Sequence, residues 1–189
     1  MSSNLIFTPS SIGIDEVGRG PIAGPLVVCA CYQLQSIDGI KDSKQLSEKK
    51  RNNLAEYVVE HSEIEVSVVS PSDIDRHGIF PSVLNAMRQS ADRLIKRVKP
   101  NQILIDGTHI PAGMPSFSQS VIKGDQKYQC IASASIVAKV IRDHIMERYS
   151  RLYPGYGFDR HKGYGTTTHY EALSRLKPCP IHRRSFRLC

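Results

Sequence analysis

Tryptophan is absent from the 189 residues, cysteine occurs five times, and only 7% of side chains are aromatic. The cysteines are odd in number and lack CxxC spacing. Neither a disulfide framework nor a cysteine zinc site is expected, and a reducing cytoplasm is the expected location. No run of about 18 apolar residues occurs, so no membrane span is expected. The opening "MSSNLIFTPSS" has neither a basic start nor an apolar core, so a secretory leader is not expected. The seven histidines show no ligand spacing, and no repeat or low-complexity tract is visible. A chain of this length can bury its own core as one domain.

Acidic charge is scarce near the C-terminus. Lysine and arginine number 25 against 18 acids, a net charge of +7. Residues 160–189 carry Arg160, Lys162, Arg175, Lys177, Arg183, Arg184 and Arg187 against Glu171 alone, so six of the seven net charges lie there. A basic segment on a near-neutral body points to a polyanion such as nucleic acid, or else to a solvated basic surface.

The apolar pattern gives an order of elements. "SIGID" and "LVVCACYQL" read as strands joined by the Gly/Pro-rich "GRGPIAGP", and "EIEVSVVS" alternates as a third strand. "LSEKKRNNLAEYVVEH" reads as a helix. "SVLNAMRQSADRLIKRV" sets Leu84, Met87, Ala91, Leu94, Ile95 and Val98 on one helical stripe, ended by Pro100. "QILID" and "SQSVI" read as strands. A long helix is expected over residues 127–152 with Ile131, Ala134, Ala138, Ile141 and Ile145 inward, and a short one near "THYEALSRL". This order predicts an α/β fold, a mixed five-stranded sheet flanked by helices. Residues 1–153 form its body, and 154–189 a small basic helical C-terminal appendage of the same domain.

Acids fall at the ends of the apolar segments. Asp15 and Glu16 end the first strand, Asp106 ends "QILID", and Asp125 is expected to open the long helix. If the first and fourth strands lie side by side and parallel, these carboxylates converge. Oxygen ligands without cysteine favour Mg2+ or Mn2+, and two ions roughly 3.5–4 Å apart suit in-line phosphodiester cleavage. Neighbouring strand side chains point to opposite faces, so a break or twist is expected at Asp15–Glu16. For any one acid a plain turn role is the simpler reading; for the set, metal binding is favoured. "GRGPIAG" imitates a dinucleotide-binding glycine loop, but it leads into Pro25 and a strand rather than into a helix, which excludes that reading.

"GIDEVGRGPIAGP", "DSKQLS", "LIDG", "VIKGD", "ASIVAKVIRD", "YPGYGFDRHKGYGT" and "HRRSF" occur in this order between residues 12 and 187. Together they resemble ribonuclease HII, the type 2 ribonuclease H. The resemblance implies a ribonuclease H-like fold that cleaves the RNA strand of RNA–DNA hybrids. It also implies incision 5′ to single ribonucleotides embedded in duplex DNA, with 3′-hydroxyl and 5′-phosphate ends. It places the metal-site acids on Asp15, Glu16, Asp106 and Asp125. Gly18, Arg19 and Gly20 then contact the ribonucleotide's 2′-hydroxyl, the group that separates RNA from DNA, and Tyr164 packs on the next deoxyribose. The resemblance further implies a monomer. No extra N-terminal domain of the ribonuclease HIII sort and no sliding-clamp peptide are visible. Val17, Thr108 and "IASASI" depart from the commoner alanine, asparagine and "AAASI", and none removes an implied ligand.

Other candidates carry two readings. Ser43 and Lys44 meet substrate phosphates, or form a polar loop before a helix. Lys123 meets a phosphate or offsets the acids. Lys162, Tyr164 and Thr166 or Thr167 belong to a substrate loop or a linker, and the family match favours the former. Arg183 and Arg184 grip the DNA backbone or pack against the body, with Phe186 as anchor. Lys139 and Asp143 read as an i,i+4 pair rather than as site residues, and His109 as a loop residue. Two other functions fit parts of the pattern. A non-catalytic nucleic-acid-binding module would show steep salt dependence but indifference to metal; a DNA nuclease with the same acid cluster would degrade all-DNA substrates.

Overall fold

A computed structural model describes residues 5–40 and 47–188. Its sheet comprises β1 (Ser11–Val17), β2 (Leu26–Gln33), β3 (Ser62–Val69), β4 (Gln102–Asp106) and β5 (Ser118–Val121), in the order β3-β2-β1-β4-β5. β1 pairs antiparallel with β2 and parallel with β4, β2 antiparallel with β3, and β4 parallel with β5. The mixed five-stranded sheet expected from the sequence is therefore present, with its first and fourth strands parallel neighbours.

The helices are α1 (Glu48–Glu60), α2 (Pro71–His77), α3 (Ile79–Ile95), α4 (Gln129–Leu152), α5 (Phe158–His161) and α6 (Thr167–Leu176). On one face of the sheet Ile12, Ile14, Val28 and Ile105 pack with Met87, Ala91 and Leu94 of α3. On the other, Val27, Cys29 and Cys31 pack with Ala134, Val137 and Ala138 of α4 and Val58 of α1. Burial on both faces explains why β2 is apolar without alternation. Gly13 lets α4 lie directly on β1, because a Cβ there would run into the main chain of Cys130 and Ile131. No described helix is long and apolar enough to cross a membrane, and Cys29, Cys31, Cys130 and Cys179 are buried free thiols.

Three expectations change. α2 was not expected: Ser70 caps it by accepting from the Asp73 amide at 3.1 Å, and Pro71 opens it. Asp125 does not open the long helix but lies in a separate 3-10 turn, Gly124–Gln126. Along α4, the buried positions after Ala138 are Arg142, Asp143 and Met146, while Ile141 and Ile145 are only partly buried.

The C-terminal segment is closely integrated. Ile22 and Ala23 from the β1–β2 connection and Met146 of α4 share a core with Tyr156, Phe158, Leu173 and Ile181. The Arg183 amide donates to Ile22 O at 2.9 Å, and the Gly24 amide to Ile181 O at 2.8 Å. The basic segment is thus tied to the connection that follows Asp15 and Glu16.

Candidate active site

Parallel pairing from Ser11↔Gln102 to Ile14↔Ile105 brings Asp15 and Asp106 to adjacent strand ends. Beyond β5, Lys123 adopts a left-handed conformation (φ 54°) and turns the chain back. The Gly124 amide then donates to Asp106 Oδ1 at 2.6 Å, and the Asp125 amide also bonds Asp106. This turn places Asp125 close enough for its charge to disfavour ionisation of Asp106.

Asp15 is 6% exposed. Burial pushes its carboxyl well above the usual range; a hydrogen bond from Ser135 of α4 opposes this, and the charges of Glu16 and Asp106 add to it. Glu16 is raised by burial, partly offset by Arg19, whose Nη1 lies 3.2 Å from Glu16 Oε1. Burial likewise raises Asp106, against the bond from Gly124. The expected break at Asp15–Glu16 does not occur: β1 continues in register through Val17↔Val27. Asp15 shares the α4 face with Gly13, and Glu16 follows the parity of Ile12 and Ile14, yet both sense the charge of Asp106 at the neighbouring strand end.

These carboxylates fit a hard divalent cation. Their donors are all oxygen, their mutual repulsion calls for positive charge, and Glu16 Oε2 is buried without a hydrogen-bond partner. Among the described residues no three His, Cys, Asp or Glu side chains are already drawn around one point, so the acids are gathered but not closed into a cage.

The glycines of the adjoining loop differ in origin. Gly18 has φ +99°, and an added Cβ would fall 2.5 Å from Arg142 Nε and 2.7 Å from Pro25 O. At Gly20 the backbone imposes no such demand, and a Cβ would meet only Tyr164 Cε1, at 3.8 Å. Tyr164 is 44% exposed. Its loop is fixed by a bond from its own amide to His161 O at 2.9 Å and one from His169 Nδ1 to its carbonyl at 2.9 Å.

Other candidates separate. Lys162 Nζ pairs with Glu147 Oε1 of α4 at 2.7 Å and is mostly shielded. Arg183 is fully buried and donates to Gly18 O, Arg19 O and Gly24 O. As placed it cannot grip a phosphate, so of its two readings the structure takes packing against the body. Arg184 is exposed, with its amide donating to Asp75 Oδ2 at 2.9 Å. Lys123 is exposed, and Lys139 pairs with Asp143 at 2.8 Å. His109 lies in a loop, bonded to Thr108 Oγ1 and edge-on to Phe80. Ser43 and Lys44 lie outside the described residues. The sequence reading gave no role to Ser135 or Arg142, although both lie within the quoted "ASIVAKVIRD"; the charge of Arg142 on an inward helical stripe was the available signal.

A mixed sheet with carboxylates at the ends of its paired central strands, backed by a long helix, is the ribonuclease H-like arrangement. The ribonuclease HII family model matches residues 12–189. The chain is 43% identical over 176 residues to ribonuclease HII of Maricaulis maris, covering 92% of this chain and 80% of that one. The crystal structure of ribonuclease H2 from Pyrococcus horikoshii superposes with a TM-score of 0.80 at 26% identity, covering 94% of each chain. The structure of Bst-RNase HIII in complex with Mn2+ gives a TM-score of 0.76 over 95% of this chain and 68% of that one; at 22% identity it is a likeness of fold. The chain belongs to the ribonuclease HII family, and is thus a hydrolase of the type 2 ribonuclease H class.

Proposed function

We propose that the chain is a divalent-metal-dependent endonuclease that cleaves the RNA strand of RNA–DNA hybrids and incises duplex DNA 5′ to a single embedded ribonucleotide, leaving 3′-hydroxyl and 5′-phosphate ends. The observation that carries this reading is the gathering of Asp15, Glu16, Asp106 and Asp125 at one end of the sheet, where β1 runs on into Gly20, a glycine that the protein's own packing does not require. Family membership supports the hybrid substrate, and the Mn2+ bound by the HIII relative supports the metal.

Asp15, Glu16, Asp106 and Asp125 would hold Mg2+ or Mn2+. Two such ions would supply an activated water and stabilise the leaving 3′ oxygen. The protein's own groups do the rest. Ser135 and the Glu16 amide hold Asp15 in one orientation. Bare main chain at Gly20 leaves room for a ribose edge, where the extra hydroxyl is both donor and acceptor. Arg19, more than half exposed, offers a guanidinium to the scissile phosphate. Tyr164 presents its ring across from Gly20 as a platform for the next sugar. Ser43 and Lys44, with exposed cations such as Arg184, would meet backbone phosphates.

The test is a duplex DNA carrying one ribonucleotide, incubated with the protein in Mg2+ and in Mn2+. A nick 5′ to the ribonucleotide is expected in at least one metal, none in all-DNA duplex, and none from Asp15→Asn or Asp106→Asn proteins that retain the native circular dichroism. Full activity of either variant, or cutting of all-DNA duplex, would overturn the proposal.

A further inference from the structure

Two fully buried arginines, used by no step above, meet at the centre of the scaffold. Arg142 of α4 donates from Nε to Pro25 O at 2.9 Å, from Nη1 to Lys162 O at 2.9 Å and from Nη2 to Ala23 O at 3.2 Å. Arg183 donates from Nε to Gly24 O at 3.0 Å, from Nη1 to Arg19 O at 3.1 Å and from Nη2 to Gly18 O at 2.6 Å. Five of these six carbonyls belong to the connection that carries Gly18–Gly20, and the sixth opens the loop that carries Tyr164.

Burying a guanidinium carries a desolvation penalty of several kcal/mol, and two close together repel. Burial and then the charge of Arg142 push Arg183 down to about 9. Apolar side chains would fill the same space but leave these carbonyls without donors, so what the site demands is the direction of the donors and not only volume. A planar guanidinium directs three groups of N–H donors along fixed lines, which a lysine ammonium cannot reproduce.

We propose that Arg142 and Arg183 are positioning residues that act as one clamp: they set the gap between the Gly18–Gly20 main chain and the Tyr164 ring, and with it the selection of a lone ribose inside a DNA duplex. This rests on the function proposed above. Gly20 and Tyr164 face each other across 3.8 Å from an added Cβ, yet belong to distant parts of the chain. Arg142 bridges those parts directly, with its guanidinium carbon 5.9 Å from the Tyr164 ring centre. Arg183 holds the glycine side alone and is backed by Phe186, 5.1 Å away.

The test compares the unaltered protein with Arg183→Lys and Arg142→Lys on two substrates, a duplex with one ribonucleotide and a continuous RNA–DNA hybrid. A displaced loop still finds a ribose at every position of the hybrid but has one chance on the single-ribonucleotide duplex. Each variant is expected to lower kcat on the latter by roughly tenfold or more. KM should stay within about threefold, since the distant phosphate contacts are intact. The ratio of kcat/KM for single ribonucleotide over hybrid should therefore fall. A merely structural role lowers both substrates in step with folded protein, and an unchanged ratio overturns the clamp. Should the lysine variants fail to fold, Phe186→Leu decides, because it removes the ring behind Arg183 while keeping an apolar side chain against the two cores that this half-buried residue touches. The ratio must again fall, by about twofold or more; if it does not, the clamp is wrong. Failure of the unaltered protein to cut either substrate overturns the function itself, and the clamp with it.

Discussion

Gly18 and Gly20 stand two positions apart, and the site gives each a different reason to lack a side chain. The first is held at positive φ beneath Arg142; the second faces open space and Tyr164. Their alanine variants should accordingly separate folding from function. Gly18→Ala places a Cβ against Pro25 O and in a left-handed conformation, and should destabilise by about 1–3 kcal/mol. Gly20→Ala should leave the melting temperature unchanged or slightly raised, since its backbone demands nothing of glycine. Its kcat/KM on a single-ribonucleotide duplex should nevertheless fall by roughly tenfold or more, about 1.4 kcal/mol in the transition state. Thermal melts paired with nicking rates check both. A Gly20→Ala protein as active as the unaltered one would remove the main-chain reading of the 2′-hydroxyl.

Strands β1, β2 and β4 were legible because sandwiched strands must be apolar on both faces, and α3 because its buried stripe repeats at the helical period. Asp15, Glu16 and Asp106 were legible as acids at the ends of apolar strands that pair in parallel, whereas Asp125, expected to open the long helix, reaches Asp106 through the left-handed turn at Lys123. α2 escaped because seven residues rich in charge show no period; its start is set by Ser70 and Pro71 instead. Arg142 escaped because periodicity assigns inward positions to apolar side chains, and nothing local announces three waiting carbonyls. The edge strand β3 adds a further element-level feature. Arg93 of α3 and Arg97 just beyond it reach across the strand, donating to Val66 O at 3.1 Å and Ile64 O at 2.8 Å while both pair with Glu65 at 3.0 Å. They occupy carbonyls that an exposed edge would otherwise offer to another chain. An Arg93→Ala/Arg97→Ala protein should stay folded but associate as concentration rises, measured by light scattering. A variant as monodisperse as the unaltered protein over the same range would show that the edge needs no cover.

Over the whole molecule, the C-terminal segment is braced internally by a buried chain of histidines. The Cys179 amide donates to His182 Nδ1 at 3.0 Å, His182 and His169 share a bond between their Nε2 atoms at 3.0 Å, and His169 Nδ1 donates to Tyr164 O. His182 Nδ1 also lies 3.2 Å from Cys179 O; with Nδ1 accepting from the Cys179 amide, one proton on each ring completes the chain, His182 Nε2 donating to His169 Nε2. Burial is the main cause holding His169 down to about 4, against the Tyr164 bond, and it lowers His182 as well. The unfolded chain takes up the His169 proton near pH 6.5, the folded chain only near 4. The histidine contribution to stability is therefore complete above about pH 6.5 and declines as pH falls toward 4. Asp15, Glu16 and Asp106 have raised folded values and act with the opposite sign over part of that range, so the comparison must be differential. Denaturant unfolding of the unaltered protein and His169→Gln, from pH 7.5 to 4, isolates the term. Relative to the variant, the unaltered protein should lose on the order of 2–3 kcal/mol across that interval. A stability difference that stays flat with pH would mean that His169 does not stay neutral in the fold.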